Sequence, residues 1–241
     1  MVGAVSEPEP TALMAIAADD DRAREWLIEH QLADGSLGLR AGSVFREATA
    51  LAALAMPDGP PRQRAVDRIV AVLGNNGPDP AITARGWPWT DEAHGWVEPT
   101  AWGLLALRLL RPTETDRIDD AVALLRERES VDGGWNYGAR TILGVDVAPF
   151  VQTTGMGLLG LGTLAPDLER RAVAVLERRW TTEAAGHLSL ATAVCALDVA
   201  GSTQARAAGN ALDASDAGGA PDNVVAAWAT MAAERTGPWW T

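Results

Sequence analysis

Cysteine is nearly absent from this chain of 241 residues: Cys195 stands alone, so no disulfide can close within it and a reducing compartment is expected. No apolar run reaches the ~18 residues that cross a bilayer. The acidic segment 1–10 lacks the basic-then-apolar pattern of a secretory leader. These absences lead to the expectation of a cytoplasmic protein without a membrane span. Basic charge is scarce as well. Twenty basic residues face 32 acids, and the net charge of -12 argues against a nucleic-acid partner, whose phosphates need a basic surface. Tyr occurs once and Phe twice, against ten Trp. Aromatic chemistry in this chain is therefore almost entirely indole chemistry.

A short motif recurs. Glu9-Pro10-Thr11-Ala12-Leu13 returns as Glu47-Ala48-Thr49-Ala50-Leu51, as Glu98-Pro99-Thr100-Ala101-Trp102 and, more loosely, as Gln152-Thr153-Thr154-Gly155-Met156. Self-similarity at intervals of tens of residues marks stacked or circular units. Each copy opens a stretch almost free of charge, giving expected helices over 9–17, 47–56, 98–107, 152–161, 188–197 and 222–231. A helix apolar on every side must be buried on every side. Amphipathic stripes alternate with them: Ala23, Trp26, Leu27 and His30; Val66, Ile69, Val70 and Leu73; Ile118, Ala121, Val122 and Leu125; Leu168, Ala172, Val173, Leu176 and Trp180; and a weaker one over 203–213. Short turns between buried and surface helices make neighbours antiparallel. The expected fold is all-α: one domain, 1–241, an α/α toroid of six inner and about five outer helices. An open solenoid is the rival, but its end repeats would need polar outer faces.

Two segments carry a family signature. Gln31-Leu32-Ala33-Asp34-Gly35-Ser36-Leu37 and Glu129-Ser130-Val131-Asp132-Gly133-Gly134-Trp135 resemble the Q-x-x-x-G-x-W repeats of squalene–hopene cyclases, with Leu37 in place of Trp and Glu129 in place of Gln. Prenyltransferase β subunits are the wider relatives. The stretches 86–107 and 133–161 are similar to small bacterial proteins that carry these repeats without an assigned activity. The resemblance implies a terpenoid-cyclase-type toroid acting on or binding an isoprenoid. The D-x-D-D acid of those cyclases has no match: Asp116-Arg117-Ile118-Asp119-Asp120 is one residue too long, and Asp19-Asp20-Asp21 falls in a turn. The Asp-x-Cys zinc pair of the prenyltransferases is missing too, since Ala193 precedes Cys195 at that spacing. No metal and no cofactor is expected.

Parallel inner helices would gather all their N-termini at one mouth. The two long returns, 74–97 and 130–151, end there and bring Trp87, Trp89, Trp96, Trp135, Tyr137 and Phe150. Long loops on a rigid scaffold are where function tends to sit. Glu98 and Asp91 are the candidate general acids, on the reasoning that converging carboxylates and apolar walls raise a pKa. Trp87, Trp89, Trp96, Trp102, Tyr137, Asp146, Phe150, Gln152, Met156 and Glu47 are the candidate ligand contacts, with indole faces suited to a cation. Trp135 reads as the structural Trp of its repeat. Trp102 shares a register with Leu13, Leu51 and Met156, a row expected to face the lumen. Three functions fit: acid-initiated cyclisation or isomerisation of a polyene, sequestration of an isoprenoid-like ligand, and docking of a peptide or protein through the Trp-rich loops.

Overall fold

A computed structural model of the chain describes residues 7–38, 48–77, 79–182, 186–215 and 223–240. The fold is helical. The charge-poor segments form α1 (Pro8–Ala18), α3 (Ala48–Ala55), α5 (Val97–Leu110), α7 (Val151–Leu161), α9 (His187–Val199) and α11 (Asn223–Glu234). The amphipathic ones form α2 (Asp21–Glu29), α4 (Pro60–Ala71), α6 (Thr115–Glu127), α8 (Pro166–Arg179) and α10 (Ala205–Ala214). No described helix is long and apolar enough to cross a membrane. The motif glutamates Glu9 and Glu98 sit inside the first helical turn, not ahead of it. A carboxylate there meets the positive end of the helix dipole.

Burial separates the two helix types. α7 buries every residue from Val151 to Leu161 except Gln152, whereas α8 buries only Leu168, Ala172, Val175 and Leu176. The odd-numbered helices touch in a closed circuit: α1 packs on α3, α3 on α5, α5 on α7, α7 on α9, α9 on α11, and α11 back on α1. Four even-numbered helices, α2, α4, α8 and α10, each rest against two members of the circuit, while α6 rests on α5. Contact between α11 and α1 is what an open array lacks, since its two ends never meet.

All twenty basic residues are arginine, and several fasten helix ends by their forked donors. Arg24 donates to the carbonyls of both Ala15 and Ala55, and Arg108 on α5 donates to those of Leu159 and Gly160 on α7. Thr236, just past α11, donates to the carbonyl of Ala17. Helices α1 and α3 therefore end side by side, as do α5 and α7, and α11 and α1.

The row expected to face a lumen is packed instead. Leu13, Leu51, Trp102 and Met156 are each 3% exposed or less, so very little of their surface meets a water-sized space. Helices α5 and α11 stand three steps apart around the circuit in either direction, yet Trp102 and Trp228 reach one another with ring centroids 5.8 Å apart. Trp239, on a 3-10 turn at Pro238–Trp240, stacks on Trp228 at 5.3 Å. Indoles thus fill the centre of the circuit at this level.

Sequence periodicity gave no sign of a hairpin in the second return. Strands β1 (Thr141–Ile142) and β2 (Val145–Asp146) pair antiparallel across Leu143 and Gly144. Both turn residues have positive φ, 52° and 79°. That is the backbone of a type I′ turn.

Candidate functional site

The motif threonine locks each return to its inner helix. Thr49 Oγ1 accepts the backbone N–H of Leu37, Thr100 Oγ1 that of Trp87, and Thr154 Oγ1 that of Trp135, all at 3.0 Å. Trp87 and Trp135 then make equivalent contacts. Trp87 Nε1 donates to the carbonyl of Ile69 at 2.8 Å, and Trp135 Nε1 to that of Leu125 at 2.7 Å. Each ring lies on a helical glycine three residues past the threonine. A Cβ on Gly103 would stand 2.5 Å from the Trp87 ring, and one on Gly157 2.6 Å from the Trp135 ring. Trp87 is thus as structural as Trp135, 5% exposed against 0%. The pairing of Trp with Gly and of Leu37 with Ala52 at matching offsets was the legible signal for this.

Acids and Gln31 complete the repeat. Asp120 accepts the N–H groups of Arg85 and Gly86 and pairs with Arg117, whose guanidinium carbon lies 4.1 Å from the Trp87 ring centroid. Gln31 bonds to Pro61 and Arg64 at the start of α4, and Glu129 makes a bidentate pair with Arg171 on α8. In both copies, the first residue of the repeat-like segment ties one surface helix to the next.

The two returns meet where α5 and α7 begin. Val97 N–H donates to the carbonyl of Tyr137, and Phe150 N–H to that of Trp135. The Trp96 ring stacks on His94 at 5.0 Å and covers Gly138, while Tyr137 and Phe150 touch at 5.4 Å. Arg128 fastens the junction from beneath: buried, it donates to the carbonyls of Gly138 and Gly95. The structure therefore brings Trp96, Tyr137 and Phe150 together.

The other candidates are scattered around this junction. Trp89 and Gln152 are half-buried, and Asp146 is exposed on β2. Trp102 and Met156 lie in the core, and Glu47 lies outside the described residues. Glu98 is half-buried and has a partner of its own. Asp91 is exposed and bound by Arg68 at 2.5 Å. Asp91 and Arg68 form one rim of a cleft that also involves Thr49, Ile69, Trp87 and Pro99, and Glu98 is not among its lining residues. The cleft spans about 400 Å³ with its open mouth, but its enclosed part is about 30 Å³. That is room for one water. Among the described residues, no three of His, Cys, Asp and Glu gather to hold a metal ion. Cys195 is buried on α9, and burial pushes its thiol well above the usual range.

Neither a protein-family model nor a curated protein matches the chain.

His94 supplies a pH dependence. Burial, and then the charge of Arg128, depress its pKa below the ordinary 6.5. The folded state holds the neutral imidazole, so this group's contribution is complete above about 6.5 and is lost as the pH falls below it. Urea midpoints measured from pH 8 to 5 should decline through that window, and His94→Gln should flatten that component. An unchanged slope in the variant would assign the decline to other groups.

Proposed function

We propose that this chain is an α/α toroid of squalene–hopene-cyclase-like repeats that docks a protein partner through the hairpin of its second long return. The observation that carries the reading is a run of apolar side chains standing in solvent: Tyr137 is 54% exposed, Ile142 56%, Leu143 99%, Val145 68% and Phe150 36%. They form two exposed apolar pairs, Ile142 across from Val145 beside Leu143, and Tyr137 against Phe150; apolar surface gathered in this way marks interaction sites. Leu143 adds a second support. Its φ of 52° is left-handed, where Asn or Gly is at ease and a leucine costs about 1 kcal/mol. A turn needed only to reverse the chain has no use for that side chain. The backbone supports it: the hairpin is rooted through Arg140 and Val147 and through Asn136, which holds the turn at 138–139. A partner with an apolar pocket would take Leu143 as its central anchor, flanked by Ile142 and Val145.

Leu143→Asp tests this. With a photo-crosslinker placed at position 145, the wild-type chain should give a discrete crosslinked partner, and Leu143→Asp should weaken its capture about 30-fold, the ~2 kcal/mol typical of an interface anchor. The variant should melt at the wild-type temperature. Equal capture by both chains removes the hairpin as the contact.

The apolar-ligand reading has one observation of its own, the cleft where Trp87 and Asp91 share a rim. An enzyme of cyclase type would protonate a polyene there with Asp91, or with Glu98 on the neighbouring first turn of α5. The enclosed volume fits a water and not a polyene, which weighs toward docking. Incubation with isoprenoid diphosphates and alcohols decides between them. Product lost in Glu98→Gln or Asp91→Asn supports the enzyme, and no product from the wild-type chain ends that reading.

A further inference from the structure

Trp239 belongs to no helix of the circuit, yet it occupies the centre. The chain leaves α11, turns at Arg235 and sets this indole against Trp228, 5.3 Å away at 11°, and Trp102, 6.4 Å away at 34°, two rings that also touch each other. The residue is 6% exposed. The Nε1 atom nevertheless has no hydrogen-bond partner, whereas Trp87, Trp135 and Trp240 each place theirs on an oxygen. A buried, unmet N–H costs about 1–3 kcal/mol. Trp239 fills its seat by shape and fails it in polarity.

Besides the packing of the indole itself, the segment is held by one polar latch at the surface. Asp198, at the end of α9, accepts from Arg235 Nε and Nη2 and from Trp240 Nε1, at 2.7–2.8 Å. Arg235 is 65% exposed in its side chain and carries a φ of 54°. The Asp198 side chain is 23% exposed, so only the Arg235 end of the pair is screened by solvent. Asp198 and Arg235 also form one wall of a broad open cleft between α9, α10 and α11, about 980 Å³ with its mouth. The latch can therefore be reached from solvent. The segment enters where the inner helices end, since Thr236 bonds to Ala17 at the end of α1.

We infer that Pro238–Trp240 is a displaceable plug, latched on Asp198, and that the seat of Trp239 is a latent binding site for a planar arene of about two fused rings. The occupant's own chemistry sets the class: an indole stacked on one tryptophan and tilted against another. A ligand that takes the seat must first wait for the plug to leave, so its apparent affinity is lowered by the open fraction. Releasing the latch raises that fraction. The inference is independent of docking at the hairpin, which lies at the opposite end of the inner helices.

Prodan, a naphthalene whose emission reports apolar surroundings, is the probe. It is titrated into the full-length chain as wild type, as Asp198→Ala and as Trp239→Gly, each checked for an unchanged helical circular-dichroism spectrum. Asp198→Ala should bind at least ten times tighter than wild type, and Trp239→Gly at least as tightly as Asp198→Ala. Trp239→Leu replaces the glycine variant should that one fail to fold. If the plugless variant binds no tighter than wild type, the seat is not a site and the inference falls. If it binds tighter while Asp198→Ala matches wild type, the seat stands but the latch does not govern it, and the plug is overturned.

Discussion

Replacing Trp135 with alanine is expected to lower the free energy of unfolding by about 4 kcal/mol, within the range for a large aromatic removed from a core. The ring is fully buried, lies on Gly157 and donates to the carbonyl of Leu125. Its removal opens a cavity between α6 and α7 and strips that carbonyl of a donor. Marginal stability makes this a large fraction of the total for a domain of this size. Urea denaturation followed by circular dichroism measures it. The specific expectation concerns the pair. Gly157→Ala alone drives a methyl into the indole, at a cost of about 1–3 kcal/mol. Trp135→Leu with Gly157→Ala reproduces the Leu37 and Ala52 of the first copy, so the double variant should be more stable than the sum of the two single changes. Strict additivity would show that the two positions do not share a packing site.

Loss of Arg128 should rank next. Arg128→Ala leaves the carbonyls of Gly95 and Gly138 without a donor at the point where the two returns meet. Hydrogen bonds to a charged donor contribute about 1.5–3 kcal/mol, and a buried acceptor left unmet costs about as much. A destabilisation of about 3 kcal/mol is expected. Arg126→Ala, which removes an exposed pair with Asp167 instead, should cost under about 1 kcal/mol. Hydrogen exchange gives the sharper readout: amides of segments 93–97 and 135–140 should lose protection together in Arg128→Ala and keep it in Arg126→Ala. Arg128→Lys should recover only part of the loss, because one ammonium cannot reproduce a fork held between two carbonyls. Uniform loss of protection across the molecule would make Arg128 a general core residue and not a clasp between the returns.

The same physical grouping explains the hairpin and the tail. Both are segments outside the repeats that depend on few bonds. The hairpin spends its apolar side chains on solvent, which supports a partner; the tail spends an indole on the centre, which supports a plug.

Helix positions were legible in the sequence because they rest on local patterning. A charge-free stretch such as 152–161 has only one way to avoid water, and the stripe Leu168, Ala172, Val173, Leu176 has one face to hide. The recurring threonine announced equivalent units, and Trp–Gly against Leu–Ala at a fixed offset carried the loop packing as well. The functional residues were less legible. Glu98, Asp91 and Trp102 were singled out for residue type and register, but whether a side chain faces a cavity depends on what arrives from the opposite side. For Trp102, that is Trp228 and Trp239, 126 and 137 residues further along the chain. No period links them. The hairpin was invisible for a related reason: two residues per strand are too few to show alternation, and a leucine at positive φ contradicts turn preference. By itself, then, the sequence determined that eleven helices of two kinds alternate, since burial of each follows from its own pattern. Only the tertiary structure decided that α11 closes against α1, that indoles from distant segments fill the centre, and that apolar side chains stand in solvent at the second return, because each of these is set by contacts between residues far apart in the chain.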